Sequence, residues 1–305
     1  MSWKITAFAS RRVIEGALLA HEDAWDWDPD IVISGSELAD DLPEEWRLEA
    51  WLPRRPGKAD RAAITALFAD GAPEFLIEQL PETDWVTQSQ QGLEPIRAGR
   101  FHVRTPEHPP LGQPGVRDFT IPASRAFGTG QHATTAGCLA MLSTMKARGT
   151  VVRNCADIGT GTGLLAFAAL DLWPRALATA SDIDGVCIGV VETNAALNGV
   201  SLGARQGELT ILVAAGLDHP LLQVRGPYDL IVANILAGPL IELAPDFGRT
   251  LVPGGSLLLA GLLETQEQQV RNACRRAGLR LAARQVNGDW SILWLRRRAD
   301  WTREL

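Results

Sequence analysis

The sequence predicts an α/β protein in two parts. A small α+β N-terminal part precedes a larger part built on a doubly wound, mostly parallel sheet of seven strands with an antiparallel hairpin at one edge. Three observations carry that expectation. The chain has 305 residues, about twice the ~150 of a typical domain. After residue 124, apolar strand-like runs alternate with helical ones, as in a parallel sheet covered on both faces. The last two strand-like runs are joined at Asn287–Gly288, the residue pair of a two-residue hairpin turn.

Hydrophobic residues make up 46% and charged residues 21%, a globular composition with ample material for a core. The net charge is −7 and the pI about 5.3, which argues against a broad footprint on nucleic acid and favours a basic partner. The four cysteines, Cys138, Cys155, Cys187 and Cys274, are far apart and form no CxxC pair, so they are expected as reduced core thiols and not as metal ligands. The start "MSWKITAFASRRVIEG" lacks the apolar core of a signal peptide, and no run approaches the ~20 apolar residues of a membrane span. A cytoplasmic protein without a membrane partner is expected.

Residues 1–80 read in order as strand "WKITAFA", helix "SRRVIEGALLA", strands "DIVISGS" and "WRLEAWL", helix "KADRAAITALFADG" and strand "EFLIEQL". Ser10 and Gly71 serve as start and stop signals, and β-α-β-β-α-β is the order of a ferredoxin-like sandwich. Six of the ten tryptophans, Trp3, Trp25, Trp27, Trp46, Trp51 and Trp85, fall within the first 85 residues. Between Glu22 and Glu49 stand eleven acidic residues against one basic, Arg47, either a solvated loop or a surface for a lysine-rich protein. Residues 81–123, rich in Pro and Gly and carrying Arg97, Arg100, Arg104 and Arg117, are expected as a linker with a hairpin, because "RFHVR" and "VRDFTIP" alternate like strands.

Residues 124–305 supply helix "TTAGCLAMLSTMKA", strand "VVRNCADI", helix "GLLAFAALDLW", strand "ALATASDI" and helix "GVCIGVVETNAALNG". A weaker strand "ELTILVAAG" follows, then strand "YDLIVANI", helix "GPLIELAPDFGRTL", strand "GSLLLAGLL" and helix "TQEQQVRNACRRAG" before the closing hairpin. In such sheets ligands bind at the carboxyl ends of the strands.

The turn after the first of these strands, "CADIGTGTGLLAFAALD", carries Gly159, Gly161 and Gly163. A dinucleotide fingerprint G-x-G-x-x-G would need glycine at position 164, which is Leu164, so that pattern fails. Asp157, two residues before the first glycine, would place negative charge beside a pyrophosphate but suits a cationic ligand without phosphate, such as S-adenosylmethionine. The glycines then serve close backbone approach. Asp182, at the end of the next strand, is placed to accept both ribose hydroxyls; its alternative is a helix cap.

These residues carry a resemblance. Residues 124–295 resemble the class I S-adenosylmethionine-dependent methyltransferases, whose sheet is Rossmann-like, and within them the PrmA family, the ribosomal protein L-eleven methyltransferases. The motifs are "AFGTGQHATT" (Ala126–Thr135), "DIGTGTG" (Asp157–Gly163) with "SDIDGVCIGVVETNAALNGV", and "VANILAGPLIELAP" (Val232–Pro245). The middle motif is shared by many methyltransferases; the outer two are narrower. The N-terminal half resembles the family's substrate-recognition domain in strand order and in "DWVTQSQQGLEPIRAGRFHV", while its QSQQG segment and Trp-rich acidic run depart from better-known bacterial members.

The resemblance implies S-adenosylmethionine as cofactor, with contacts at Thr135, Gly159, Asp182 and Asn234, joined by Asp157, Gly161 and the loop residues Gly128, Thr129, Gly130 and His132. His132 either bonds the cofactor carboxylate or braces the loop, and Thr134 or Thr135 has a helix cap as its alternative. It implies a basic ribosomal protein as substrate, a cytoplasmic monomer and no direct nucleic-acid contact. The expected reaction is in-line transfer to a neutral lysine ε-amine or α-amine, with positioning and water exclusion supplying most of the gain. Asn234, with the carbonyls of Asn234 and Ile235, is expected to align the amine; its alternative is a cap for the helix near Pro239. Ala237 and Gly238, where an N-P-P-Y motif has bulk, are expected to leave room for repeated methylation. Competing readings are an NAD-type oxidoreductase, a non-catalytic scaffold, and a methyltransferase acting on another protein lysine.

Overall fold

A computed structural model describes residues 3–22, 27–28, 30–38, 44–69, 71–79, 95–122 and 131–299, with the side chains at 19, 22, 131 and 132 excepted. Gly128, Thr129 and Gly130, the His132 side chain, Trp25, Trp85, the QSQQG segment and part of the acidic run lie outside it. The chain divides into two compact units, Met1–Gln88 and Ser89–Leu305.

In the first unit the elements are β1 (Trp3–Ser10), α1 (Arg11–Glu22), β2 (Val32–Glu37), β3 (Glu45–Leu52), α2 (Lys58–Ala66) and β4 (Phe75–Gln79). The strands pair antiparallel in the order β2-β3-β1-β4, that of a ferredoxin-like sandwich. Period-two alternation turns Ile5, Ala7, Leu48, Ala50 and Leu52 to one face, where Ile14 and Ala17 of α1 and Ile64 of α2 cover them. Ser10 closes β1 opposite Glu45 and immediately precedes α1. Trp3, Trp27, Trp46 and Trp51 are half-buried, and the Trp27 indole donates to the Ile31 carbonyl at 2.9 Å. Part of the acidic surplus is paired locally: Arg54 bridges Asp28 at 2.6 Å and Asp60 at 2.7 Å, and Lys4 meets Glu49 at 3.1 Å.

The second unit opens with a small sheet of β5 (Ile96–Ala98), β6 (Phe101–Arg104) and β7 (Arg117–Thr120). The hairpin here is β5–β6; β7 pairs with β6 in parallel. The intervening loop is tied down by the Asp118 carboxylate, which accepts from Leu111 N at 2.9 Å and lies 2.6 Å from His102 Nδ1. Phe119 stands between Phe101 and Phe167, at ring separations of 5.8 and 6.4 Å, and so joins this sheet to the helix Leu164–Leu172.

The remaining elements are α3 (Gln131–Ala147), β8 (Asn154–Ile158), α4 (Leu164–Leu172), β9 (Leu177–Asp182), α5 (Val186–Asn198), β10 (Leu209–Val213), α6 (Pro220–Arg225), β11 (Tyr228–Asn234), α7 (Ala237–Thr250), β12 (Leu251–Leu263), α8 (Glu267–Arg276), β13 (Leu279–Asn287) and β14 (Trp290–Arg297). The sheet order is β10-β9-β8-β11-β12-β14-β13, parallel except at β14. The closing hairpin is present, with its second strand inserted next to β12. Ser291–Leu295 is buried without interruption, whereas β13 alternates; a strand apolar on both faces belongs inside the sheet and an amphipathic one at its edge. The short helix α6 has no counterpart in the sequence reading; His219 caps it, accepting from Leu221 N at 3.1 Å.

Successive residues of the central strands feed opposite faces. Leu230, Val232, Leu258 and Ala260 join the layer under α3 and α4, and Ile231, Ala233, Leu257 and Leu259 the layer under α7 and α8. Helix α4 is buried on nearly every side, including Leu164, which occupies the place of the missing third glycine. All four cysteines are free; Cys138, Cys155 and Cys274 are buried, and Cys187 is half-buried. Burial pushes the Cys155 and Cys274 thiols up to about 12.

Candidate cofactor and acceptor site

The order of β8 and β11 beside β9 and β12 creates a switch point at the carboxyl ends of the strands, where a crevice is expected. A cavity of about 600 Å³ opens there, within the range of small-molecule sites. It is lined by Thr135 of α3, Gly159 and Gly161 after β8, Asp182 ending β9, and Asn234 and Ile235 at the end of β11. Six of the sequence-predicted residues are therefore brought to one wall.

The three glycines each have positive φ, 71° at Gly159, 55° at Gly161 and 83° at Gly163. They differ in what a side chain would meet. A Cβ at Gly159 would overlap Ile235 Cγ2, and one at Gly163 would lie 2.8 Å from Phe167 Cζ. At Gly161 no atom lies within 4 Å, because this glycine faces the cavity.

The turn spends its own backbone donors. Gly159 N and Thr160 N donate to the Ser181 carbonyl at 2.8 and 3.0 Å, Gly163 N to the Thr160 carbonyl at 3.0 Å, and Gly161 N to Asp182 Oδ2 at 2.9 Å. An anion cradle needs such N–H groups free and aimed at the ligand. Asp157 accounts for the adjoining helix terminus. Its Oδ2 accepts from Ala166 N at 3.1 Å, in the first turn of α4, and from Thr160 Oγ1 at 2.7 Å. The carboxylate thus fills the place at the helix N-terminus where a phosphate would sit.

Asp157 is 3% exposed and is not among the residues lining the cavity. Burial raises its pKa to about 6, against the opposing bonds from Thr160 and Ala166 and with a further push from the Asp182 charge. The sequence reading turned this carboxylate toward a cationic ligand; its bonds turn it toward the turn and α4. The carboxylic acids that line the cavity are Asp182 and Asp184.

Asp182 is no helix cap. Its Oδ2 holds Gly161 N and its Oδ1 accepts from Asp184 N at 3.1 Å, while Asp184 Oδ1 takes Val186 N at the start of α5. The Cys187 thiol also bonds this carboxylate, whose two oxygens together offer about four acceptor sites, so room remains for a ligand hydroxyl. Asn234 also is no cap: the residue before α7 is Leu236, which makes no side-chain cap bond. Among the described residues no hydrogen bond engages the Asn234 amide, which lines the cavity. Thr134 and Thr135 lie inside α3, at 2% and 7% exposure, and both reach the cavity wall.

Several lining residues are not marked as site residues by the sequence: Thr134, read there only as a candidate helix cap, Cys187, read as a core thiol, and Ile183, Ala214, Leu236 and Trp290. Ile183 and Leu236, at 75% and 71% exposure, are large apolar residues at the mouth. Their position directly after Asp182 and Ile235 was the available signal. The Cys187 thiol, pushed up to about 11 by burial and then by Asp182, stays protonated. Ala237 and Gly238 do not line the cavity, whereas Leu236, Pro239, Gly261 and Trp290 do. Gly261 sits at a bulge of β12 with φ 83°, and a Cβ there would overlap the Ile235 carbonyl.

S-adenosylmethionine fits these observations. The cavity has the volume, Gly161 the open backbone approach, and Asp182 the acceptor oxygens, while the spent N–H groups and Asp157 leave no pyrophosphate cradle.

Comparison with known proteins agrees with this geometry. The family model for ribosomal protein L11 methyltransferase (PrmA) matches residues 22–298. A ribosomal protein L11 methyltransferase of Agrobacterium fabrum is 37% identical over 270 residues, covering 88% of this chain and 90% of that protein. Its counterpart in Brucella suis is 42% identical over 219 residues, 72% of this chain and 73% of that one. Among solved structures, a ribosomal protein L11 methylase from Lactobacillus delbrueckii subsp. bulgaricus aligns at a TM-score of 0.54 with 28% identity, covering 68% of this chain and 98% of that one.

Proposed function

Because the chain belongs to the ribosomal protein L11 methyltransferase (PrmA) family, we propose that it transfers methyl groups from S-adenosylmethionine to lysine ε-amines, and to an α-amine, of ribosomal protein L11. The observation that carries the residue-level reading is the shared cavity of Asp182 and Asn234, with the N–H groups of Gly159, Thr160, Gly161 and Gly163 already bonded within the fold.

S-adenosylmethionine, when bound, supplies an electrophilic methyl on a sulfonium. Asp182 accepts the ribose hydroxyls, the glycine turn admits the cofactor backbone-close at Gly159 and Gly161, and Thr135 closes the wall toward the methionine end, with Gly128, Thr129, Gly130 and His132 preceding it in the chain. Asp157 holds the turn. Asn234 accepts a hydrogen bond from the incoming neutral amine through its side-chain oxygen, and the Asn234 and Ile235 carbonyls complete the alignment. Apolar Ile183, Leu236 and Pro239 at the mouth exclude water and lower the cost of an uncharged amine.

The unit Met1–Gln88 is the substrate-recognition part in this reading, its acidic surplus suited to a basic ribosomal protein. No helix among the described residues is long and apolar enough to cross a membrane. A cytoplasmic monomer acting without direct nucleic-acid contact completes the proposal.

The test is incubation with radiolabelled S-adenosylmethionine and large-subunit ribosomal proteins. Label is expected on L11; label on another protein alone removes the substrate and keeps the reaction. Asn234→Ala should fold, melt within about 1 kcal/mol of the parent, and lose roughly 100-fold or more in turnover, the scale seen when one preorganised polar group is deleted.

A further inference from the structure

We propose that Trp290 is the aromatic wall of the acceptor subsite, where it stabilises the positive charge that builds on the amine nitrogen as methylation proceeds. The inference rests on the reading of Asn234 as the acceptor-aligning residue.

Strand order carries the argument. From β9, which ends at Asp182, two steps through β8 lead to β11 and Asn234; two more through β12 lead to β14 and Trp290. At about 4.8 Å per step, Asn234 lies ~10 Å from either flank. A ligand with its ribose at Asp182 and its reactive end at Asn234 uses one half of the cavity. The other half, bounded by Leu236, Pro239, Gly261 and Trp290, is left for the acceptor. Among those four, Trp290 alone presents a π face.

The hairpin that carries the ring is fixed. Trp290 pairs with Leu263 of β12 and Asn287 of β13. Asn287 Nδ2 donates to the Ala133 carbonyl in α3 at 3.0 Å, tying the hairpin to the helix that carries Thr135. Glu264 N donates to the Asp289 carbonyl at 2.7 Å, and the neighbouring Ser291 hydroxyl to buried Glu267 at 2.7 Å. The indole N–H makes no hydrogen bond among the described residues, and the side chain, placed by its strand, lines the cavity.

The chemistry needs such a face. The attacking nitrogen uses its lone pair to form the C–N bond while the C–S bond breaks and its electrons stay on sulfur; nitrogen thereby gains positive charge, and its proton leaves to water. A tertiary or quaternary methylammonium has few N–H groups or none, so carboxylates and carbonyls recognise it poorly and an aromatic face recognises it well. No acidic residue lines this half of the cavity. The stretch Asn234–Ala237 contains no aromatic residue, and Trp290 supplies one from a distant strand.

Two measurements test this. The first uses the unaltered protein loaded with S-adenosylhomocysteine and two peptides, one bearing Nε-trimethyl-lysine and one bearing its uncharged tert-butyl isostere. The trimethylammonium peptide should bind roughly 5- to 30-fold more tightly, the range of a desolvated cation–π contact; equal affinities overturn the proposal. The second compares Trp290→Phe with Trp290→Leu. Both should bind S-adenosylmethionine within about threefold of the parent by calorimetry. Trp290→Leu should lower kcat roughly tenfold and shift products from trimethyl toward monomethyl lysine by mass spectrometry, with Trp290→Phe largely restoring both. A leucine variant that trimethylates like the parent sinks the role of Trp290; failure of the parent to methylate any lysine sinks the functional reading instead.

Discussion

Replacing Asp157 with asparagine should make this protein more stable, and more so the higher the pH. The carboxylate is 3% exposed, and burial lifts its pKa to about 6 from 3.8. A carboxyl that holds its proton more tightly when folded contributes stability below the unfolded pKa, and loses it as pH rises through the folded one. About two pKa units at 1.36 kcal/mol each make the ionised group a liability of about 3 kcal/mol above pH 7. Asparagine keeps an acceptor oxygen for Thr160 Oγ1 and Ala166 N and removes the charge. Asp157→Asn should therefore gain up to about 3 kcal/mol at pH 8, less whatever its new N–H₂ group costs, and under about 1 kcal/mol at pH 4.

The assay is thermal unfolding across that pH range, following the transition that S-adenosylmethionine shifts upward, since two units need not melt together. A stabilisation of that size corresponds to an upper limit of roughly 6–12 °C at pH 8. Cofactor affinity should change less than about tenfold, because Asp157 holds the turn and does not line the cavity. Equal shifts at pH 4 and pH 8, or a less stable variant at pH 8, would refute the reasoning.

The remaining predictions separate folding from binding. Gly163→Ala places a Cβ 2.8 Å from Phe167 Cζ and 3.0 Å from Val191 Cγ1 at φ 83°, so it should cost roughly 2–4 kcal/mol in a urea melt. Gly161→Ala meets open space and should cost only about 1 kcal/mol, while its methyl enters the cavity and weakens S-adenosylmethionine binding at least tenfold by calorimetry. Asp182→Ala removes the acceptor for the ribose hydroxyls and for Gly161 N, and its dissociation constant should rise roughly 100-fold or more; a change under threefold would return Asp182 to a purely local role. Asn287→Ala should leave β13–β14 paired but release the Ala133 carbonyl, which shows as faster amide exchange at the start of α3 and about tenfold weaker cofactor binding.

Much of this molecule was legible in one dimension. Strand and helix alternation gave the doubly wound sheet because burial on both faces requires near-continuous apolar strands such as Leu230–Ala233. The β-α-β-β-α-β order gave the first sheet, and the spacing of Asp157, the glycines and Asp182 pointed to the crevice, since one strand, one turn and the next strand end are local matters. Short α6 escaped because six residues carry too little periodicity to read.

What the sequence by itself determined was the set of elements, their order, and the motif residues that line one wall of the cavity. Only the tertiary structure decided which way each polar group turns. Asp157 reads as a ligand-facing acid until Thr160 Oγ1 and Ala166 N are seen to claim it, and the glycine N–H groups read as free until Ser181 and Asp182 are seen to take them. Trp290 reads as a strand residue until β14 inserts beside β12 and carries it to the far end of the cavity from Asp182. The physical reason is common to all three: propensity and periodicity act between near neighbours in the chain, whereas hydrogen-bond satisfaction and cavity walls depend on which strands become neighbours in space.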